Sequence, residues 1–148
     1  MREILFRGKT LTGRWEEGAY YKQEYFYGSR EDADVIITTN DCLDNDFGLD
    51  YAVCIPETIG QYTGLTDKNG KKIFEGDIID ASNAWWNASG PAGHDSPIMK
   101  VKWSDEICGF DPFAIYDCDC GVYIYPDQVE VIGNIHDNPE LLKEGAEK

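Results

Sequence analysis

Residues 61–79 read QYTGLTDKNGKKIFEGDII and combine a strand, a hairpin turn and a second turn in nineteen consecutive positions. Asn69-Gly70 is the dipeptide that best tolerates the positive φ of a tight turn. Residues 75–77 (EGD) form a second turn signal, and Ile78-Ile79 opens the next strand. The stretch therefore predicts a β architecture. It contains no nucleophile, metal cage or phosphate cradle that would indicate a reaction by itself.

The rest of the chain also favours strands over helices. Nine Tyr, 15 Gly and β-branched runs at 35–39 and 129–132 are typical of a mainly β protein, α+β at most. We predict an N-terminal antiparallel β layer over 1–60, a connecting hairpin segment over 61–76, and a small SH3-like β-barrel over 77–137. Asn138 as N-cap and Pro139 as first helical residue predict a short helix with an acidic tail over 138–148.

The charge is strongly acidic and unevenly distributed. The 148 residues carry 28 acidic and 13 basic side chains, a net charge of −15. No Lys or Arg lies between Arg30 and Lys68, or from Asp105 to Glu140. Such surfaces repel a phosphate backbone, so direct nucleic-acid binding is disfavoured. A solvated, solubilising surface explains most of these charges.

Targeting and redox signals predict a soluble cytoplasmic protein. The opening MREILFRGKT is too short and polar for a secretory signal, and the longest apolar runs have four or five residues, far below the roughly 20 that span a bilayer. Five cysteines, an odd number, favour reduced thiols over a disulfide framework.

Three segments resemble the YopX-like family of bacteriophage and prophage proteins. They are MREILFRGK with GRWEEG at 13–18, PETIGQYTGLTDKNG at 56–70 with FEGDI at 74–78, and VIGNIHDNPELL at 131–142. The resemblance implies a phage-encoded, cytoplasmic protein of the bacterial host, with a fold that contains a β-barrel and a tendency to self-associate. It supplies no catalytic residues and no established role.

Acidic clusters are weak candidates for a metal site. Glu75, Asp77 and Asp80 lie around one turn, but an Asp after Gly is more simply a cap for backbone N–H groups. Four acids in the segment before the strand at 51–55 do not have the ligand spacing of an EF-hand; they are Asp41, Asp44, Asp46 and Asp50. We expect no cofactor, and weak divalent binding by these acids stays open.

Thiols and histidines give no complete constellation either. Cys118 and Cys120 would lie on one side of a strand, with Cys108 as a third thiol, whereas zinc sites use paired knuckles and four ligands. His94 or His136 would have to complete the set. His136-Asp137 would point to opposite faces of an extended strand. Packed free thiols and the absence of nucleophilic catalysis are the favoured interpretation.

Trp85 and Trp86 form the strongest candidate contact site. They lie in a loop-like segment, ASNAWWNASGPAGHDSP at 81–97. Large aromatic side chains on loops often anchor partners. The alternative is that one packs over the barrel and the other in an oligomer contact.

The sequence is compatible with three functions. The first is a non-enzymatic accessory protein that contacts a host or phage protein, or forms a homo-oligomer built partly from the aromatic N-terminal layer. The second is an acidic decoy that occupies the basic site of a host nucleic-acid-binding protein. A metal-dependent hydrolase that uses Glu75, Asp77 and Asp80 or the Cys118/Cys120 region is the least favoured.

Overall fold

Short antiparallel strands dominate the computed structural model, which describes residues 3–24, 32–38, 50–84, 96–113 and 124–142. In chain order the strands are β1 (Phe6–Lys9), β2 (Trp15–Gln23), β3 (Ala33–Thr38), β4 (Asp50–Cys54), β5 (Gly60–Thr66), β6 (Lys72–Phe74), β7 (Asp77–Asp80), β8 (Ile98–Lys100), β9 (Lys102–Ser104), β10 (Gly109–Asp111) and β11 (Glu130–Asn134). Turns of 3₁₀ helix lie at Pro56–Thr58, Ser82–Ala84 and Pro126–Gln128, and residues 140–142 are helical. The predicted mainly β class, with a short C-terminal helix, is confirmed.

The chain divides into two compact units, Met1–Tyr62 and Thr63–Lys148. Strand β5 runs across this boundary. Among the described residues, no helix has the length and apolar character needed to cross a membrane.

The first unit is a curled antiparallel sheet in the order β4-β3-β2-β1, with the beginning of β5 on the free edge of β1. The end of β4 also returns to the end of β1. Cys54 forms an isolated antiparallel β-bridge with Thr10, and the Ile55 N–H donates to the Lys9 carbonyl at 2.8 Å. Thr58 fixes the turn that follows. Its Oγ1 accepts from the Lys9 N–H at 2.9 Å. The inner face of the curl buries Ile36 and Cys54.

Gly18 lets strands β2 and β3 approach closely inside this curl. A Cβ added at Gly18 would lie 1.9 Å from the carbonyl oxygen of Ile37 and 3.2 Å from Cγ2 of Ile36. Two non-bonded heavy atoms cannot lie 1.9 Å apart in a close-packed interior, so a side chain at position 18 would force the strands apart. The residue type at position 18 therefore follows from the backbone separation of the two strands.

The second unit packs its core between a three-stranded sheet, β11-β7-β8, and the β9–β10 hairpin. Its buried members are Ile73, Ile79, Ala81, Met99, Val101, Phe110, Ile124, Val129 and Val131. Buried Val101 separates β8 from β9, and its N–H donates to the Asp77 carbonyl at 2.8 Å while its carbonyl accepts from Gly76. The strand pairings of the described residues do not include one that closes the predicted SH3-like barrel, so the barrel stays a prediction.

The two turns predicted within 61–79 are present. Residues 67–70 form the hairpin turn, in which the Gly70 N–H donates to the Asp67 carbonyl at 3.0 Å. Gly70 has φ +80° and Gly76 has φ +90°, whereas Asn69 does not have a positive φ. The Asn-Gly pair thus uses only its glycine in the left-handed region. This geometry is that of a type I turn followed by a left-handed residue.

The C-terminal signature folds back onto β11. A bulge at Ile132 shifts the β11–β7 register between Val131 and Gly133. A Cβ at Gly133 would lie 2.5 Å from Oδ1 of Asn138, and this oxygen accepts from the Asn134 N–H at 3.4 Å. Asn138 does precede the helical residues as predicted. Its side chain, however, accepts a hydrogen bond from the end of β11 and does not cap the helical residues 140–142.

Candidate functional site

One face of the first sheet carries a continuous apolar patch, here called the Tyr21 face. Directly opposed residues of neighbouring antiparallel strands point to the same side. The β2–β3 and β3–β4 registers therefore give two parallel rows, Ala19–Ile37–Tyr51 and Tyr21–Val35–Val53. These six side chains span three adjacent strands and contain no charge.

Both tyrosines of the patch are exposed. Tyr21 is 55% exposed and Tyr51 is 47% exposed, whereas Val35 between them is buried at 3%. Ile37 and Val53 are half-buried. A patch that has a buried centre and exposed aromatic borders is typical of protein contact surfaces.

The β1 side of the same face is basic and aromatic. The β1–β2 register places Arg7 opposite Glu17 and Lys9 opposite Trp15. The Arg7 guanidinium lies 4.8 Å from the centre of the Trp15 ring, within cation–π range. Residues 1–30 contain six of the 13 basic residues and only four of the 28 acidic ones. The β1–β2 side of the Tyr21 face thus lies in the least acidic part of the chain, whereas β3 and β4 lie in the stretch without Lys or Arg.

Tyr20 belongs to the opposite, inner face and has a different role. Its hydroxyl donates to Oδ1 of Asp34 at 2.5 Å, and its ring lies 5.6 Å from that of Phe6. The hydrogen bond to Asp34, then burial and the Asp34 charge, raise the pKa of Tyr20. Neighbouring tyrosines in the sequence therefore divide between sheet cohesion (Tyr20) and solvent exposure (Tyr21).

Two of the candidate metal carboxylates, Asp77 and Asp80, cap backbone groups. Asp77 is buried, and its Oδ2 accepts from the Phe74 N–H at 2.8 Å, as the capping interpretation predicts. Asp80 accepts from the N–H of Ser82 at 2.9 Å. Within the described ranges, no three His, Cys, Asp or Glu side chains are grouped as a metal site would require. His136 lies in the turn after β11, where its N–H donates to Oδ1 of Asn134 at 3.0 Å.

Asp67 is a buried carboxylate whose role the sequence did not reveal. Its Oδ1 accepts from the N–H groups of Asn69 and Lys71, each at 2.9 Å, and its Oδ2 accepts from the N–H of Val131 at 3.0 Å. Burial acts to raise the pKa of Asp67, but these three hydrogen bonds and the Lys71 charge together outweigh burial and hold the pKa below its usual value. The carboxylate ties the hairpin turn to β11.

The described thiols occupy contrasting environments. Cys54 is buried and donates to the Ala52 carbonyl at 3.6 Å, while Cys108 is exposed at φ +48° in the β9–β10 turn. Burial raises the pKa of the Cys54 thiol, against a smaller lowering by a backbone hydrogen bond from Ile36. Cys118 and Cys120 lie outside the described residues, as does His94.

Alkylation should follow this contrast, because the thiolate is the reactive form. We expect native Cys54 to react with iodoacetamide at least about tenfold more slowly than Cys108. Timed quenching and peptide mass spectrometry measure each site separately. In urea the two rates should converge, and equal rates in the native protein would contradict the buried position of Cys54.

The other predicted site residues are not placed. Trp85 and Trp86 lie outside the described residues, as do Asp41, Asp44 and Asp46. Asp50 begins β4. The contact prediction for the tryptophan pair therefore stays a prediction. The N-terminal layer over 1–60 was predicted to form part of an oligomer surface. The sequence did not show that Tyr51 and Ile37 lie beside Tyr21, because only strand register brings them together.

A second exposed aromatic lies at the β9–β10 tip, residues 103–106. Trp103 is 45% exposed, and its ring packs edge-on against buried Phe110 with ring centres 5.2 Å apart. The indole Nε1 donates to Oδ1 of Asp105 at 2.8 Å. Asp105 and Glu106 are both exposed. The tip thus presents an oriented indole beside two carboxylates.

These features define a small, mainly β protein in which one sheet face of the described residues carries an uncharged apolar patch. The chain belongs to the YopX family, because the family model described as YopX protein matches residues 6–143. This confirms the predicted resemblance. The chain is also similar to the crystal structure of protein EF1440 from Enterococcus faecalis, with 25% identity, 96% of this chain and 99% of that chain covered, and a TM-score of 0.46. No curated protein matches the sequence.

Proposed function

We propose that this protein acts without catalysis, through protein–protein contact, and that it self-associates by its Tyr21 face. In this proposal it is a phage or prophage accessory protein of the bacterial cytoplasm. The observation that carries the proposal is the uncharged patch over β2, β3 and β4, bordered by exposed Tyr21 and Tyr51. Tyrosine is enriched among residues that dominate binding energy at interfaces.

Apolar contact is also the interaction that such an acidic chain can use most readily. At a net charge of −15, two copies repel each other over long range. Burial of apolar area contributes about 25 cal/mol per Å² and does not depend on charge. An uncharged apolar patch therefore supports association at the Tyr21 face.

The double substitution Tyr21→Thr, Tyr51→Thr tests the proposal. Threonine keeps strand propensity while it removes both rings. We expect the self-association constant to fall at least about tenfold, equivalent to about 1.4 kcal/mol. Sedimentation equilibrium over a wide concentration range measures this constant, and circular dichroism confirms the fold.

Tyr125→Thr is the matched control, because Tyr125 is 53% exposed but lies in the second unit. It should leave association unchanged. Unchanged association of the double variant would remove the Tyr21 face from the proposal. A wild-type protein that stays monomeric and captures a basic host protein at low salt would instead support the acidic decoy.

A further inference from the structure

Charge on the Tyr21 face constrains which surface can cover it. Arg7, Lys9 and Glu17 give the β1 side of the face a net positive charge. Burying charge against an apolar or like-charged surface carries a desolvation penalty that no opposite charge offsets. A second Tyr21 face carries the same charge excess, so two such faces would match in their apolar rows but repel each other along their β1 sides.

The β9–β10 tip has the complementary chemistry. It combines the exposed Trp103 ring with the exposed carboxylates of Asp105 and Glu106. The hydrogen bond from Trp103 to Asp105 and the packing on Phe110 hold the indole in one orientation before any contact forms. Such pre-organisation lowers the entropy cost of binding.

We infer that the β9–β10 tip of a second copy docks on the Tyr21 face, with Trp103 against the apolar rows and Asp105 and Glu106 towards Arg7 and Lys9. This inference rests on the self-association proposed above and specifies its geometry. A contact between two different surfaces is heterologous, so it produces a ring if the rotation closes and a filament if it does not. A symmetric two-fold dimer through the Tyr21 face is thereby disfavoured.

A mixing experiment distinguishes the two geometries. The face variant is Tyr21→Thr, Tyr51→Thr, and the tip variant is Asp105→Lys, Glu106→Lys. In a heterologous assembly each variant alone should associate at least about tenfold more weakly than wild type. An equimolar mixture should form a 1:1 dimer and nothing larger, because only one intact face and one intact tip remain to meet.

Light scattering of the mixture measures this outcome. Reversal of two other exposed acids, Asp127→Lys with Glu140→Lys, is the control for the change in total charge, and it should not weaken wild-type association in the same way. Circular dichroism checks that every variant is folded.

Three results would overturn the inferred geometry. They are a tip variant that associates like wild type, a mixture that stays monomeric, and a control reversal that weakens association as much as the tip reversal. A wild-type protein that does not associate at any concentration would instead refute the proposed function itself. The two failures are therefore distinguishable.

Discussion

Replacement of Gly18 by alanine is expected to destabilise the protein by more than about 3 kcal/mol, above the range of ordinary substitutions. The added Cβ would lie 1.9 Å from the Ile37 carbonyl oxygen, and a Cβ has no rotamer by which to avoid it. Relief requires β2 and β3 to separate, which breaks ladder hydrogen bonds in a sheet where β3 also carries β4. Urea unfolding followed by circular dichroism measures the loss.

Gly70→Ala separates this effect from the general cost of removing a glycine. Gly70 has φ +80° and no heavy atom within 4 Å of an added Cβ. Only backbone strain remains, at about 1–2 kcal/mol. Equal losses for the two variants would show that the β2–β3 approach is not as close as described.

Asp67→Asn is expected to cost about 3 kcal/mol or more. The two carboxylate oxygens accept three backbone N–H groups, and the amide of asparagine can supply only one acceptor oxygen. If that oxygen serves Asn69 and Lys71, the amide nitrogen faces the buried Val131 N–H, donor against donor. Asp127→Asn, at an exposed position, should change the free energy of unfolding by less than about 0.5 kcal/mol.

The difference in stability between wild type and Asp67→Asn depends on pH, and the lowered pKa of Asp67 determines the direction of that dependence. The folded pKa of Asp67 lies below its usual value, so the ionised form is favoured by folding. The stabilisation is complete above the unfolded pKa of about 3.9 and is lost as pH falls through the folded pKa. The stability gap between wild type and Asp67→Asn should be constant from about pH 6 to 8 and should narrow below about pH 4. A gap that widens in acid would contradict the assigned hydrogen bonds.

Local signals in the sequence predicted much of the fold. Neighbouring residues decide the turns at Gly70 and Gly76, the capping role of Asp77 and the strands around Ile36 and Val131, and the sequence contains those neighbours. The partner of Asp67 is a backbone N–H 64 residues further along. No periodicity within the hairpin indicates such a partner, so Asp67 was not distinguished from the surrounding charges.

The Tyr21 face could not be predicted from the sequence either, because it depends on pairing between strands that are distant in the sequence. Aromatic density around Tyr20 and Tyr21 predicted a contact layer, but alternation alone did not show which tyrosine faces inward. The Tyr20–Asp34 hydrogen bond and the β3–β4 register decide this, and both depend on pairing between separate strands. A one-residue change of register would exchange the two faces.

The hydrogen bond between Asp67 and Val131 can form only after the chain has been synthesised as far as Val131. Nascent chains grow at about 5–20 residues per second, so Val131 is added roughly 3 to 14 s after the first unit ends at Tyr62. During that interval the nascent hairpin has its carboxylate but not the strand that the carboxylate binds. The first unit contains all of β1 to β4 by then. Synthesis thus separates the assembly of the two units in time, and the last strand to emerge supplies the N–H group that completes the second.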